Sequence, residues 1–223
     1  AQVGWLYRVR QIARSIPAPK YSPQKVRSAL PRLRELLSAP EEARHVPRIL
    51  SDTGVRFVIV ESLPSAKIDG VCLWLDKDSP VVGMSLARDR MDSFWFCLRH
   101  ELEHVLKRDG IEEGAAIDPD LSGSDSDLPE AERIANAAAL EFCVPQQKLE
   151  SFLVRKKPFY YEKDVLAFAT LHRIHSSLVV GQIQMRINRH DWLARHLVKI
   201  RSVVIPGAIA DGWGQTVPIS LGA

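Results

Sequence analysis

Two histidines spaced four residues apart are the first feature of the sequence that could do chemistry. His100 and His104 enclose Glu101 in the pattern His-Glu-x-x-His. On a helix, residues four apart lie on the same face one turn above each other, so both imidazoles can reach one metal ion. Glu101 is offset by about 100° from His100, so its carboxylate can reach a water beside the metal without being a ligand. The pattern therefore predicts a metal site with Glu101 as general base. The alternative is a surface helix with two solvated histidines.

A catalytic zinc ion usually has three protein ligands, so a third should come from another element close to the histidines. One face of a second predicted helix carries a carboxylate, an amide and two small residues, which are Glu132, Asn136, Ala135 and Ala139. Small side chains would let this helix approach the first closely enough for Glu132 to bind the same ion. The alternative is that Glu132 is a first-turn acid that helps its helix begin, which is a sufficient explanation for Glu130. Glu132 is therefore the predicted third ligand.

Helical spacing of apolar residues over 91–108 places the histidine pair on a helix, and the apolar stripe of that helix would hold it in the core. The helix that carries Glu132 is predicted over 128–143. Residues 109–127, between the two helices, include seven acidic residues and no basic one, together with several glycines and serines. This composition predicts an exposed, mobile loop.

The remaining segments supply the elements around these two helices. Apolar spacing and Pro or Gly boundaries predict helices over 3–16, 22–38, 39–54, 145–154, 161–172, 176–186 and 190–199. Three short β-branched and aromatic segments predict strands at 55–61, 71–75 and 81–86. The predicted fold class is α+β, with a small three-stranded sheet packed on helices and additional N- and C-terminal helices. Along the chain we predict a basic helical segment 1–50, a core 51–150, a C-terminal helical segment 151–202 and an irregular tail 203–223.

Composition limits the class of protein. With 223 residues, of which 46% are hydrophobic and 26% charged, the chain has the balance of one large globular domain or two small ones, not of a disordered or collagen-like protein. No apolar stretch approaches the roughly 20 residues that a membrane span needs, and no secretory signal is visible, so a cytoplasmic protein without a membrane partner is predicted. The three cysteines, without a Cys-x-x-Cys pair, argue against a disulfide framework and against a thiolate zinc site.

The net charge of +3 is the sum of unlike parts. Residues 1–50 contain ten Lys or Arg against three Asp or Glu, a net charge of +7, and residues 151–202 have the same balance. Residues 51–150 contain ten basic against twenty acidic residues, a net charge of −10. An acidic middle between two basic segments predicts either a surface that faces nucleic acid or an acidic site covered by basic elements of the same fold.

Three short motifs follow one another in the order that a known family uses. They are the His-Glu-x-x-His helix at 94–107, Glu-x-x-Ala-Asn at 132–136 and Phe-Cys-Val-Pro at 142–145. With the preceding sheet segment and a helix entry at 174–181, this arrangement resembles the ImmA/IrrE family of metallopeptidases over about residues 45–185. The resemblance implies a zincin-like core in which His100, His104 and Glu132 bind zinc and Glu101 is the general base. Manganese or iron could occupy the same ligands.

Glu103 stands where the family usually has glycine, just before the second histidine. Its side chain could lie in solvent, crowd the partner helix or alter the pKa of a metal-bound water. A hydrolytic site of this kind also uses a donor to the developing oxyanion. His175 is the residue predicted for that role, and His172, Tyr160 and Tyr161 are further candidates by residue type.

The resemblance implies an endopeptidase that acts in transcription regulation or a stress response and cleaves a protein substrate, namely a DNA-binding repressor of the helix-turn-helix class. The alternative is a non-catalytic transcriptional regulator or antitoxin-like protein that keeps the zincin fold as a sensor or interaction scaffold. Residues 1–50 lack a clear pair of helices joined by a short glycine-containing turn. Because Ala1 stands in place of an initiator methionine, we expect a fragment or processed form, and any DNA contact would use a helix-turn-helix portion not present in this chain.

Overall fold

Helices make up most of the part of the chain that the structure describes. This computed structural model describes residues 1–64, 66–111, 116–117, 128–213 and 216–217. The helices are α1 Gln2–Ser15, α2 Pro23–Glu35, α3 Val46–Thr53, α4 Met91–Lys107, α5 Glu130–Cys143, α6 Gln146–Lys156, α7 Glu162–Leu171, α8 Ser176–Ile187 and α9 Arg201–Val204. The strands are β1 Arg56–Val60, β2 Gly70–Trp74, β3 Pro80–Met84, β4 Ala116–Ile117, β5 Ile209–Asp211 and β6 Thr216–Val217. Most of the acidic loop predicted over 109–127 lies outside the described residues.

The three predicted strands are present as β1, β2 and β3, and the α+β fold class is confirmed, but the sheet is larger than predicted. Its order is β4-β2-β3-β1-β5-β6, with β1 parallel to β3 and β5, and β2 antiparallel to β3. Four of these strands have three or more residues, and a two-residue strand extends each edge. The fourth, β5, comes from residues 203–223, for which we predicted irregular structure. Three residues are too few for an alternating pattern to be recognised in a sequence.

Helices cover both faces of this sheet. On one face α1 packs Trp5, Val9 and Ile12 in a cluster with side chains from β1, β2 and β3. The indole Nε1 of Trp5 donates a hydrogen bond to the carbonyl of Val60 at 2.9 Å. On the other face a second apolar cluster includes residues from Tyr21 to Ala210, so elements from the basic flanks and from the acidic middle share it.

The helix pair α4 and α5 lies on that second face. Ala135 and Ala139 of α5 are completely buried, which confirms the close approach predicted from small side chains. Trp95, near the start of α4, contacts Phe142 at the end of α5 with their ring centroids 6.3 Å apart. The two helices are therefore antiparallel, and the end of α4 that carries His104 faces the start of α5.

One predicted helix, 190–199, is wrong. This segment forms turns and a short 3-10 helix, Ala194–His196, and Leu193 has a left-handed backbone conformation that interrupts any α-helix. The side-chain amide of Gln184 donates to the carbonyls of His190 and Trp192, so tertiary hydrogen bonds replace the helical ones there. The other eight predicted helices are present, although the first part of 39–54 is a 3-10 helix, Pro40–His45. None of the described helices is long and apolar enough to cross a membrane.

Candidate metal centre

Three side chains that were predicted as metal ligands lie together between α4 and α5. His100, His104 and Glu132 each offer one ligand atom, and these atoms lie within 4.8 Å of one another. The two histidines are 0% and 2% exposed, and Glu132 is 8% exposed. The alternative of two solvated histidines on a surface helix is therefore wrong. Glu130, the weaker candidate, begins α5 in its first turn.

The distances between the three ligands are close to those around a tetrahedral ion. The Nε2 atoms of His100 and His104 are 3.1 Å apart. Glu132 Oε2 lies 3.2 Å from His100 Nε2, and the other oxygen, Oε1, lies 3.4 Å from His104 Nε2. A tetrahedral zinc ion with bonds of about 2.0–2.1 Å separates neighbouring ligand atoms by roughly 3.3 Å. Two imidazoles and one carboxylate are also a donor set that zinc uses, so the residues present fit this ion.

The other nitrogen of each imidazole is held by an oxygen atom. His100 Nδ1 lies 3.0 Å from Asn136 Oδ1, and His104 Nδ1 lies 2.9 Å from Asp109 Oδ2. A carboxylate only accepts hydrogen bonds, so Nδ1 of His104 carries a proton, and an amide oxygen requires the same of His100. Both Nε2 atoms are thereby directed at Glu132. Such an arrangement fixes which nitrogen is available to a metal.

Three electron-rich atoms therefore converge on one point, and this arrangement favours a positive charge between them. Burial by itself lowers the pKa of His104, but hydrogen bonds to Glu132 and Asp109 outweigh it and raise that pKa to about 9. Burial would raise the pKa of Glu132, yet hydrogen bonds from His100 and His104 lower it to about 2. Both shifts show a site that stabilises a cation, either a proton or a metal ion.

Glu101 lies on the sheet side of α4 and is completely buried. A Cβ atom built on Gly70, the first residue of β2, would be 2.7 Å from Glu101 Oε1 and 2.5 Å from Cys97 Sγ. The absence of a side chain at Gly70 therefore makes room for the carboxylate. Glu101 is also close enough to His104 to contribute to its raised pKa. The Glu101 carboxylate is therefore within electrostatic range of the ligand cluster.

Glu103 is paired with Arg99 on the same helix. Its Oε2 accepts a hydrogen bond from Arg99 Nη2 at 2.7 Å, one helical turn back along α4, and both side chains are largely buried. The Glu103 side chain therefore lies neither in solvent nor among the metal ligands. The Glu103 carboxylate is thus paired with a guanidinium.

The structure does not bring His175 to this cluster. His175 caps the start of α8, where its Nδ1 accepts a hydrogen bond from the backbone N–H of Ser177. Burial lowers its pKa, and the charged groups that act on it are Glu41 and His196. Further along α8, Gly181 packs against Asp92 in the first turn of α4, at the end opposite His104. The position of His175 is explained by its role as the N-terminal cap of α8.

Asp109 and Asn136 are the two site residues that sequence reasoning did not assign. Asn136 was visible on the ligand face of α5, four residues after Glu132, a spacing that signals a neighbouring contact. Asp109 had no such signal, because it was counted with the acidic loop.

The three cysteines are free and buried, and burial, with Glu101 and Asp109 nearby, raises the pKa of Cys72 well above its usual value.

Comparison with known proteins adds no relative. No protein-family model matches this sequence, and no curated protein matches it either. The resemblance to the ImmA/IrrE family therefore depends on the three sequence motifs alone.

Proposed function

We propose that this protein is a zinc-dependent endopeptidase of the ImmA/IrrE type with a zincin-like core. The observation that carries the proposal is the buried cluster of His100, His104 and Glu132, whose ligand atoms lie within 4.8 Å of one another, with the Glu101 carboxylate close enough to act on the pKa of His104. Zinc is the first choice of ion, and manganese or iron could occupy the same ligands. The proposed substrate is a protein, in the first instance a helix-turn-helix repressor, and the proposed location is the cytoplasm.

Each residue has a distinct task in this proposal. A zinc ion supplies a Lewis acid that polarises a peptide carbonyl and lowers the pKa of water towards about 7. His100, His104 and Glu132 hold the ion, while Asn136 and Asp109 keep the imidazoles in the required tautomer. Glu101 takes a proton from the attacking water and returns it to the leaving amine. Since His175 caps α8, we do not include it in this machinery.

A second candidate function is a non-catalytic metal sensor or scaffold. The observation in its favour is burial, because His100 and Glu101 are 0% exposed and a peptide must reach both in a peptidase.

Burial also limits which helices could contact DNA. The pair α7 and α8 has the short connection of a helix-turn-helix unit, but α8 is buried from Ser177 to Gln184 and is not available to a DNA groove.

The two functions are separated by comparing the zinc-loaded wild type with Glu101→Gln. Both proteins are analysed for zinc by elemental analysis and then incubated with a proteome-derived peptide library, in which new termini are found by mass spectrometry. We expect one zinc ion per chain in both, and cleavage that is about 10²–10⁴-fold slower in Glu101→Gln. Glu150→Gln is the matched control, because its exposed carboxylate is paired with Arg186 outside the site, and it should cleave like the wild type.

Two outcomes contradict the proposal in different ways. A wild-type chain that binds no zinc overturns the metal site itself. A wild-type chain that binds zinc stoichiometrically but cleaves neither the library nor purified repressors of the helix-turn-helix class supports the sensor function instead.

A further inference from the structure

The chain turns back on itself immediately after α4. Arg108 has a left-handed backbone conformation with φ 65° and ψ 30°, and the N–H of Asp109 donates to the carbonyl of His104 at 3.0 Å. This reversal returns the Asp109 side chain to the last turn of the helix, where Oδ2 reaches His104 Nδ1 at 2.9 Å. A carboxylate that follows the motif by five residues thus becomes the partner of its second histidine.

Strand β2 holds this turn in place. The indole Nε1 of Trp74, the last residue of β2, donates a hydrogen bond to the carbonyl of Asp109 at 3.0 Å. The guanidinium of Arg108 lies over the Trp74 ring at 5.1 Å, and its Nη2 donates to the carbonyl of Lys77 at 2.8 Å. The orientation of the Asp109 peptide is therefore determined by the sheet as well as by the helix.

We propose that Asp109 is a positioning residue of the metal site, and that Trp74 positions it. The inference rests on the proposed metal site but not on peptidase activity. Asp109 keeps the Nδ1 proton on His104 and so directs the Nε2 lone pair at the ion. Partners of this kind are worth about 10–100-fold in metal affinity. Asn136 does the same for His100 with a neutral amide, whereas Asp109 adds a negative charge that also attracts the cation.

The experiment measures zinc affinity by competition with a chromophoric chelator. We expect Asp109→Ala to weaken zinc binding about 10–100-fold. Asp109→Asn should recover part of this loss, because an amide oxygen still accepts a hydrogen bond from the Nδ1–H of His104. Trp74→Phe keeps an aromatic ring but removes the Nε1 donor, and should fall between the wild type and Asp109→Ala. Asp52→Ala, an exposed aspartate on α3, is the matched control and should bind zinc like the wild type.

A second readout follows the tautomer directly. In zinc-loaded protein labelled with ¹⁵N-histidine, the Nδ1–H of His104 should give a slowly exchanging NMR signal in the wild type and in Asp109→Asn. In Asp109→Ala the same proton should exchange rapidly, because its acceptor is gone. A general loss of stability would affect the signals of both ligand histidines, whereas the proposed role affects His104 and leaves the Nδ1–H of His100 protected by Asn136.

The outcomes distinguish this inference from the proposed function. An Asp109→Ala variant that binds zinc within twofold of the wild type overturns the inference alone. If Asp109→Ala does not fold, the other two variants decide. The inference is overturned if Asp109→Asn and Trp74→Phe bind zinc as tightly as the wild type and the His104 NMR signals are unchanged. A large affinity loss in a chain that cleaves nothing supports the inference and contradicts the peptidase. A wild-type chain that binds no zinc overturns both.

Discussion

A proton and a metal ion compete for His104, and this competition can be measured. With a pKa of about 9, His104 in the metal-free protein is about 99% protonated at pH 7, and zinc must displace that proton. Below pH 9 each pH unit therefore changes the apparent zinc affinity about tenfold, so binding at pH 6 should be about 100-fold weaker than at pH 8. Glu132, with a pKa of about 2, stays ionised over this range and does not contribute to the change.

The same groups predict how pH affects stability. The folded-state pKa of His104 is raised above its ordinary value of 6.5, so its contribution is fully present below pH 6.5 and is lost as pH rises through 9. The pKa of Glu132 is lowered from 4.5, so its contribution is present above pH 4.5 and is lost as pH falls through 2. The metal-free protein gains most from this pair between about pH 4.5 and 6.5. Zinc should therefore stabilise the fold increasingly as pH rises from 6 to 8.

Thermal unfolding and calorimetry test this prediction. At a fixed, saturating concentration of free zinc, a 100-fold tighter complex adds about 2.7 kcal/mol to the zinc-dependent stabilisation. For a chain of this size that corresponds to about 5–10 °C in the difference between the zinc-loaded and metal-free Tm values. Titrations in two buffers of different ionisation enthalpy should also show about one proton released per zinc ion at pH 6.5. His196→Ala, a histidine paired with Glu162 outside the site, should leave these values unchanged. A zinc Kd that is the same at pH 6 and pH 8 would refute the competition.

Two substitutions test the packing around the site, and a third tests the packing of α1 on the opposite face of the sheet. Gly70→Ala puts a Cβ atom into the space of Glu101, so we expect a loss of about 1–3 kcal/mol in the free energy of unfolding and about 100-fold in cleavage, with zinc affinity kept. A zinc affinity that falls with the activity would contradict this assignment of the space to Glu101. Glu103→Ala leaves Arg99 buried without its carboxylate and should cost about 3 kcal/mol or more in urea unfolding, while the zinc Kd stays within twofold. Trp5→Ala should cost about 3–5 kcal/mol, and a loss below 1 kcal/mol would show that α1 does not support the sheet.

The part of the site that could be predicted is the part held by helical periodicity. His100, Glu101 and His104 share one helix, and Glu132 and Asn136 share another, so spacing alone places them on faces. The contact between the two faces also had a local signal, since Ala135 and Ala139 are small. Regular elements of this length repeat their pattern often enough to be recognised.

Asp109 could not be predicted because its position depends on a single backbone conformation. The left-handed residue before it is an arginine, which carries no sequence signal for such a turn, and the hydrogen bond that holds the turn comes from Trp74 on a strand. The strand β5 was missed for a similar reason. Strand β5 forms because it pairs in parallel with β1. This pairing depends on tertiary structure, which a segment of three residues cannot encode.

Some basic residues of the two flanking segments are paired within the fold. Arg8 pairs with Asp211, Arg201 pairs with Glu61, and Arg34 donates to the carbonyl of Phe142. Of these three contacts, the one between Arg201 and Glu61 joins a basic side chain of a flanking segment to an acidic side chain of the middle segment. The candidate metal centre lies in that middle segment. Three carboxylates, those of Glu101, Asp109 and Glu132, raise the pKa of His104 and so stabilise a positive charge at the ligand cluster. One proton on His104 supplies a single positive charge there, whereas a divalent ion bound by neutral imidazoles would supply two, so these carboxylates are suited to a bound metal ion.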